Sequence, residues 1–138
     1  MSRYFAAYAI AIAIFLALDA LWLGLVARCF YMSRIGDLIL DNPRWGVAAI
    51  FYLLFIVGLV YFAISTGIAT GNATTAGING ALFGFFAYLT YNATNLSTLK
   101  GWDQTLAVVD TAWGTFIGAA VSFATILVMN AFAMTGPK

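Results

Sequence analysis

The sequence predicts an all-α integral membrane protein, built as a four-helix bundle with a short interfacial amphipathic helix between its first and second helices. Of its 138 residues, 64% are hydrophobic and only 8% are charged. About a quarter of the residues in a soluble domain are charged, so this chain lacks the charge to cover a surface that faces water. It also contains four apolar runs of roughly the 20 residues that span a bilayer as a helix. We therefore expect residues 1–138 to form a single transmembrane domain.

The first apolar run, residues 5–27, predicts helix one and contains one charged residue, Asp19. It is too long for the apolar region of a signal peptide, which is about 7–15 residues. Residues 30–41 follow, with apolar side chains at helical spacing on one face and charged side chains on the other. This pattern predicts a short amphipathic helix lying in the membrane interface, and Pro43 marks its end.

Three further apolar runs predict the remaining helices of the bundle. Helices two, three and four are expected over residues 47–64, 77–96 and 107–133, with loops at 65–76 and 97–106. Small residues recur every four positions on helices three and four, at Gly80, Gly84, Gly114 and Gly118. Because small residues let neighbouring helices approach closely, we expect this glycine face to pack inside the bundle.

The residue types that the chain lacks exclude several kinds of site. It has no histidine and no glutamate, and Cys29 is its only cysteine. Histidine-rich metal sites, the usual haem ligation and histidine-dependent catalytic groups are therefore excluded. We expect no cofactor and no metal, and the net charge of +1 indicates no nucleic-acid partner. Any acid–base chemistry would depend on Asp, Tyr or Lys.

Polar residues concentrate on one side of the predicted bundle. Four helices joined by short loops alternate in direction, so the end of helix one, the start of two, the end of three and the start of four share one side. The candidate ligand-binding residues on that side are Asp19, Trp22, Tyr52, Tyr88, Tyr91, Asn92, Asn95, Asp110 and Trp113. Four basic residues lie on that side, whereas the other side has only Arg3 and Lys138. Because basic residues are enriched in cytoplasmic loops, this favours a cytoplasmic polar side, with both termini outside.

The two intramembrane acids each have a functional and a structural interpretation. Asp19 is either a buried acid that handles protons or a ligand, or an acid paired with amides that ties helix one to helix three. Asp110 is either part of the same cluster or an acid stabilised by the positive N-terminal end of its helix. The asparagines are typical of helix-packing hydrogen bonds, and Trp22 and Trp113 of interfacial anchors or, alternatively, a ligand clamp.

An ordered set of motifs along almost the whole chain resembles a known family. The motifs are Asp19-Ala20-Leu21-Trp22-Leu23-Gly24, Phe51-Tyr52, Tyr88-x-x-Tyr91-Asn92-x-Thr94-Asn95, Gly101-Trp102 and Asp110-x-x-Trp113-Gly114. Together they resemble the bacterial predicted membrane proteins grouped as domain of unknown function 2177. The resemblance implies a multi-pass, four-helix protein of the bacterial inner membrane, and it implies no activity, cofactor or catalytic residue. Members of that family usually have Asp where this chain has Asn92, which weakens a metal-site interpretation here.

These observations leave three hypotheses for function. The first is a non-enzymatic membrane protein whose one-sided polar cluster binds or passes a small ligand, a lipid headgroup or protons. The second is a membrane-embedded enzyme that modifies lipids with Asp as acid or base. The third is an accessory subunit of a larger membrane complex, which packs through its glycine faces. The expected partners are the lipid bilayer, a small-molecule or lipid ligand, and a second copy or another membrane protein.

Overall fold

The structure is a computed structural model that describes residues 2–136, and within this range the chain is helical apart from short connections. Its four long helices are α1 (Ser2–Leu38), α2 (Trp45–Thr70), α3 (Ala73–Thr98) and α4 (Gln104–Ala131). No strand occurs in residues 2–136. Three of the helices, α1, α2 and α4, are long and apolar enough to cross a membrane. The all-helical membrane class is therefore confirmed, with three candidate membrane-spanning helices; α3 is long and uncharged but less apolar.

Helix α1 is longer than the sequence predicted. Residues 28–38 continue it through a π-helical turn at Leu23–Ala27 and finish in a 3-10 turn at Gly36–Leu38. The prediction of helix one ending at residue 27, and of a separate interfacial helix over 30–41, is wrong. No proline interrupts the chain before Pro43, and the helix continues through a π-helical turn that accommodates one extra residue.

The predicted loop over 65–76 is also almost entirely helical. Helix α2 continues to Thr70, and Gly71 ends it in the left-handed conformation at φ +72°. Asn72 then caps α3, because its side-chain oxygen accepts the N–H of Thr75 at 3.0 Å. The polar residues predicted as loop satisfy their side chains within the helix, since hydroxyls such as that of Ser65 donate to carbonyls one turn back.

The connection between α3 and α4 is short and tied to the end of α1. The Asp103 carboxylate accepts the Leu106 N–H at 2.7 Å and caps α4. The same carboxylate oxygen accepts a hydrogen bond from the Arg34 guanidinium at 3.0 Å. The Leu106 N–H, followed by Arg34, lowers the pKa of Asp103 from its usual value, because both stabilise the charged form.

We expect Asp103→Ala to lower the melting temperature of the detergent-solubilised protein by more than Asp103→Asn. Alanine removes both the cap and the ion pair, whereas asparagine is itself a favoured N-cap residue. Because the pKa of Asp103 is lowered in the fold, its stabilisation is present above its unfolded pKa and is lost as the pH falls through the folded pKa. Equal melting of the two variants at neutral pH would contradict a capping role.

The interior of the molecule is organised by small residues. Helices α3 and α4 pack along most of their length, and Gly80 and Gly84 face Gly118 and Gly114 so closely that an added Cβ would lie 2.0–2.2 Å from a backbone carbonyl oxygen. Helix α1 adds a buried row with members every four residues, at Ala7, Ala11, Phe15 and Asp19. This spacing places an acid on the face that packs into the core.

The end of the molecule away from Asp19 is closed by hydrogen bonds to backbone carbonyls. Arg3 donates to the carbonyl of Gly136 at 2.9 Å, and the Gly136 N–H donates to the carbonyl of Ile68. Asn130 donates to the carbonyl of Gly71 at 2.9 Å. Lys138, which contributed to the predicted charge asymmetry, lies outside the described residues. These contacts hold Arg3 and Gly136 at the end of the bundle opposite to the polar residues.

Candidate functional site

A cavity of about 420 Å³ lies where the second half of α1, the start of α2, the end of α3 and the start of α4 come together. We call it the aromatic cavity. It is lined by Asp19, Trp22, Leu23, Tyr31, Ile35, Ala48, Phe51, Tyr52, Ala87, Tyr88, Tyr91, Trp102, Asp110 and Trp113. All four helices contribute, so the site exists only in the assembled fold.

Asp110 is held in place by two hydrogen-bond donors. Its side chain is buried in the second turn of α4. The Tyr31 hydroxyl donates to one carboxylate oxygen, and the Asn92 amide donates to the other at 2.7 Å. The same amide nitrogen also contacts the carbonyl of Tyr88 at 3.0 Å. Three helices are thereby connected through one carboxylate, whose two oxygens are both hydrogen-bonded.

Asp19 is buried to a similar degree but lacks such partners. Its side chain is 6% exposed, and within residues 2–136 it forms neither a hydrogen bond nor an ion pair. The Tyr52 hydroxyl and the Trp113 indole are its neighbouring donors, but neither reaches hydrogen-bond geometry, and the Trp113 N–H is buried without a partner. Asp19 is therefore a nearly buried acid that faces the cavity without a fixed counter-group.

Aromatic rings form most of the remaining wall. Trp22 of α1 and Trp113 of α4 stack face to face, with centroids 4.4 Å apart and an interplanar angle of 6°. Tyr91 meets Trp102 edge to face at 5.5 Å. The stacked indoles join α1 to α4 beside the two acids, which is a more specific arrangement than two separate interfacial anchors.

Comparison with known protein families matches residues 4–127 to the family described as Predicted membrane protein (DUF2177). The chain belongs to the DUF2177 family. The resemblance inferred from the ordered motifs is confirmed, and the matched range includes every residue that lines the aromatic cavity. Membership and the three apolar helices agree on a multi-pass membrane protein. Neither curated proteins nor solved structures give a match.

Seven of the nine candidate residues from the sequence line the cavity of this DUF2177 protein. They are Asp19, Trp22, Tyr52, Tyr88, Tyr91, Asp110 and Trp113. Asn92 lies behind the wall, where it is 1% exposed and supports Asp110. Asn95 is half-buried beside Tyr91 and does not line the cavity. The structure thus brings the two acids to one cavity and assigns the two asparagines to different places.

Sequence reasoning missed Tyr31 and Trp102, and the π-helical turn explains the first omission. Tyr31 follows Asp19 by 12 residues, which in a regular α-helix would place it about 120° away around the axis. The extra residue at Leu23–Ala27 reduces this angle to roughly 30°, because a π turn rotates less per residue. Tyr31 therefore reaches the Asp110 side chain although it was expected on the interfacial helix.

The lining of the DUF2177 cavity is acidic and contains no basic side chain. Arg34, which lies one turn from Tyr31, is paired with Asp103 and stacks on Phe30 at 4.7 Å. Among residues 2–136, no three His, Cys, Asp or Glu side chains come together as a group that could hold a metal ion. The cavity thus combines two carboxyl groups with a largely aromatic wall.

Proposed function

We propose that the chain is a four-span protein of the bacterial inner membrane that binds a small molecule or a lipid headgroup in the aromatic cavity. The observation that carries this proposal is the unpaired, nearly buried Asp19 in a cavity to which all four helices contribute. The volume of about 420 Å³ is typical of small-ligand sites, which bury a ligand against apolar walls and a few polar groups.

The connections of α3 support the proposed fourth span. Both α2 and α4 contribute residues near their starts to the aromatic cavity, so both begin at the same end of the bundle. If α2 and α4 cross the bilayer, the chain must return between them, and α3 is the only segment that joins them. Its 26 residues are about 39 Å long as a helix, which is sufficient to cross.

We expect Thr74→Cys and Lys100→Cys to react with an impermeant thiol reagent from opposite sides of the membrane. Both residues are exposed, at the two ends of α3, and the native Cys29 is also exposed and would be replaced by serine. The four basic residues near the cavity predict that Lys100→Cys reacts from the cytoplasm. Reaction of both from one side would exclude the fourth span; the reverse assignment would exclude only the orientation.

Occupancy of the cavity is tested by filling it. Ala48 lines the cavity, whereas its neighbour Ala49 is exposed on the same helix. We expect Ala48→Phe to reduce bound small molecules or lipids, counted by native mass spectrometry after mild detergent extraction, by roughly tenfold or more, because the added ring occupies ligand volume. Ala49→Phe is the matched control and should keep wild-type occupancy. Equal occupancy of the two variants, or an empty wild-type protein, would contradict the proposal.

The two other hypotheses find less support. A subunit that docks through its glycine faces needs them exposed, but Gly80, Gly84, Gly114 and Gly118 face one another inside the molecule. A groove of about 610 Å³ on the other side of α3 and α4 has a mostly apolar lining, which suits acyl chains of the bilayer. In an acid–base enzyme only Asp19 would be free to act, because Asp110 is bonded through both oxygens.

A further inference from the structure

We propose that the ligand of the aromatic cavity carries a positively charged amine, either as a free organic cation or as the ammonium headgroup of a lipid. This inference rests on the proposed binding function and names the chemistry of the ligand. It depends on three features of the cavity: an unpaired buried acid, the sign of the lining charge, and the aromatic wall.

The unpaired acid supplies the first argument. Asp19 faces the cavity with 6% exposure and no hydrogen-bond or ion-pair partner within residues 2–136. Its neighbouring donors, the Tyr52 hydroxyl and the Trp113 indole, are neutral groups. An acid buried without a counter-charge is costly to ionise, and an entering cation would remove much of that cost and favour the ionised form. A second acid, Asp110, lies on the same cavity and adds to its negative potential.

The lack of an internal counter-ion supplies the second argument. No basic side chain lines the cavity. Arg34, on the same helix as Asp19, is occupied by the Asp103 carboxylate at 3.0 Å. An ionised acid within this aromatic enclosure would repel a phosphate, a carboxylate or any other anion. The charge that the site lacks is therefore positive.

The aromatic wall supplies the third argument and narrows the cation to an organic one. Ring faces attract ammonium groups through their quadrupoles, and cages of aromatic side chains are the common recognition site for quaternary ammonium. Here the stacked pair of Trp22 and Trp113 borders the acids, and the rings of Tyr52, Tyr88 and Trp102 complete the wall. A small metal ion would need converging oxygen ligands, whereas this wall offers apolar surface to the carbon atoms of an amine.

The rim of the cavity allows the ammonium group to come from a lipid. Phe51 and Tyr91 are both more than half exposed, and Leu23 is 47% exposed. An apolar rim within a membrane lets an acyl chain stay in the bilayer while only the ammonium end of the headgroup enters the cavity and the phosphate stays outside it. A free amine would need only the aromatic wall and the acids. The two sources share the ammonium group, and they differ in whether a chain must lie across the rim.

The test compares a cation with its neutral isostere. Choline and 3,3-dimethyl-1-butanol have nearly the same shape, but only choline is charged. We expect choline to raise the melting temperature of the detergent-solubilised protein with saturable dependence on concentration, and the alcohol to have no comparable effect. Asp19→Asn should weaken choline binding by at least about tenfold, since it removes the charge and keeps the shape. Asp41→Asn, at an exposed acid outside the cavity, is the matched control and should bind as the wild type does.

A second arm distinguishes the two sources. Native mass spectrometry would compare retention of phosphatidylethanolamine and phosphatidylcholine with that of phosphatidylglycerol, which has no ammonium group. Preferential retention of the first two, lost in Asp19→Asn, with no response to free choline, assigns the site to a lipid headgroup. A response to choline without lipid preference assigns it to a free amine.

The failures of the two proposals are distinguishable. Equal stabilisation by choline and by the neutral alcohol, or unchanged cation binding in Asp19→Asn, would overturn the amine proposal. If Asp19→Asn does not fold, Ala48→Phe replaces it, because this variant fills the cavity without altering an acid. If Ala48→Phe loses bound molecules that carry no amine, the binding function is supported and only the proposed amine chemistry is wrong. If Ala48→Phe binds as much as the wild type does, both the binding proposal and the amine proposal are wrong.

Discussion

Replacement of Gly84 by alanine is expected to lower the melting temperature in detergent by roughly 10 °C. The added Cβ would lie 2.0 Å from the carbonyl oxygen of Gly114 and 2.9 Å from its carbonyl carbon. Both are backbone atoms, so no flexible side chain can move aside, and α3 and α4 must separate by about 1 Å. Overpacking of a well-packed interior costs about 3 kcal/mol at the upper end of its usual range, which corresponds to a shift of this size.

Gly46→Ala is the matched control for this prediction. Gly46 lies in the first turn of α2, and nothing is within 4 Å of the Cβ that alanine would add. Alanine also has a higher helix propensity than glycine, so the melting temperature should stay the same or rise slightly. Similar melting temperatures of Gly84→Ala and Gly46→Ala would show that α3 and α4 do not pack as closely as described. The glycine faces would then contact lipid or a partner instead.

Replacement of Asp110 by leucine is expected to have a comparable effect, for a different reason. The change leaves the Tyr31 hydroxyl and the Asn92 amide without their shared acceptor. Each unsatisfied buried donor costs about 1–3 kcal/mol, so a loss of roughly 3 kcal/mol or more is expected. Asp110→Asn keeps one carbonyl oxygen and should be milder. Thermal unfolding in one detergent at neutral pH is the measurement.

A double-mutant cycle with Tyr31→Phe separates this network from a general effect of packing. If Tyr31 stabilises the fold through Asp110, the costs of the two changes together should be smaller than the sum of the single costs, because both remove the same hydrogen bond. Tyr61→Phe, at a tyrosine that is 72% exposed, is the control and should add independently. Additive costs for Tyr31 and Asp110 would contradict the network and the placement of residues 28–38 as part of α1.

Much of the fold was predictable because it depends on local composition and spacing. The low charge and the apolar runs require a membrane environment, and the helical content follows from the length of those runs. The alternating direction of four helices joined by short connections places residues as distant as Asp19 and Asp110 at one end of the molecule. The repeat of glycines every four residues likewise predicts the close contact of α3 and α4.

The structure departs from the sequence prediction where polar composition does not break a helix. Residues 65–70 are mostly small or polar, yet they remain in α2, where the Thr70 hydroxyl bonds to a carbonyl of the preceding turn. Residues 30–38 are amphipathic, yet they continue α1 because nothing in the chain ends the helix before them. Polarity indicates which side of a helix meets water, whereas a break needs a backbone signal, such as the left-handed Gly71 that ends α2.

The sequence by itself determined the class of molecule, the glycine contact and the end of the bundle at which the polar residues gather, because each depends on residue type and spacing along one helix. Only the tertiary structure decided which of these polar residues contact one another. Tyr31 and Asn92 bond Asp110. Asp19 stays unpaired beside the stacked pair of Trp22 and Trp113. The reason is rotational. A single π-helical turn changes the direction of every later side chain on α1 by about a quarter of a turn, and composition does not reveal where such a turn occurs.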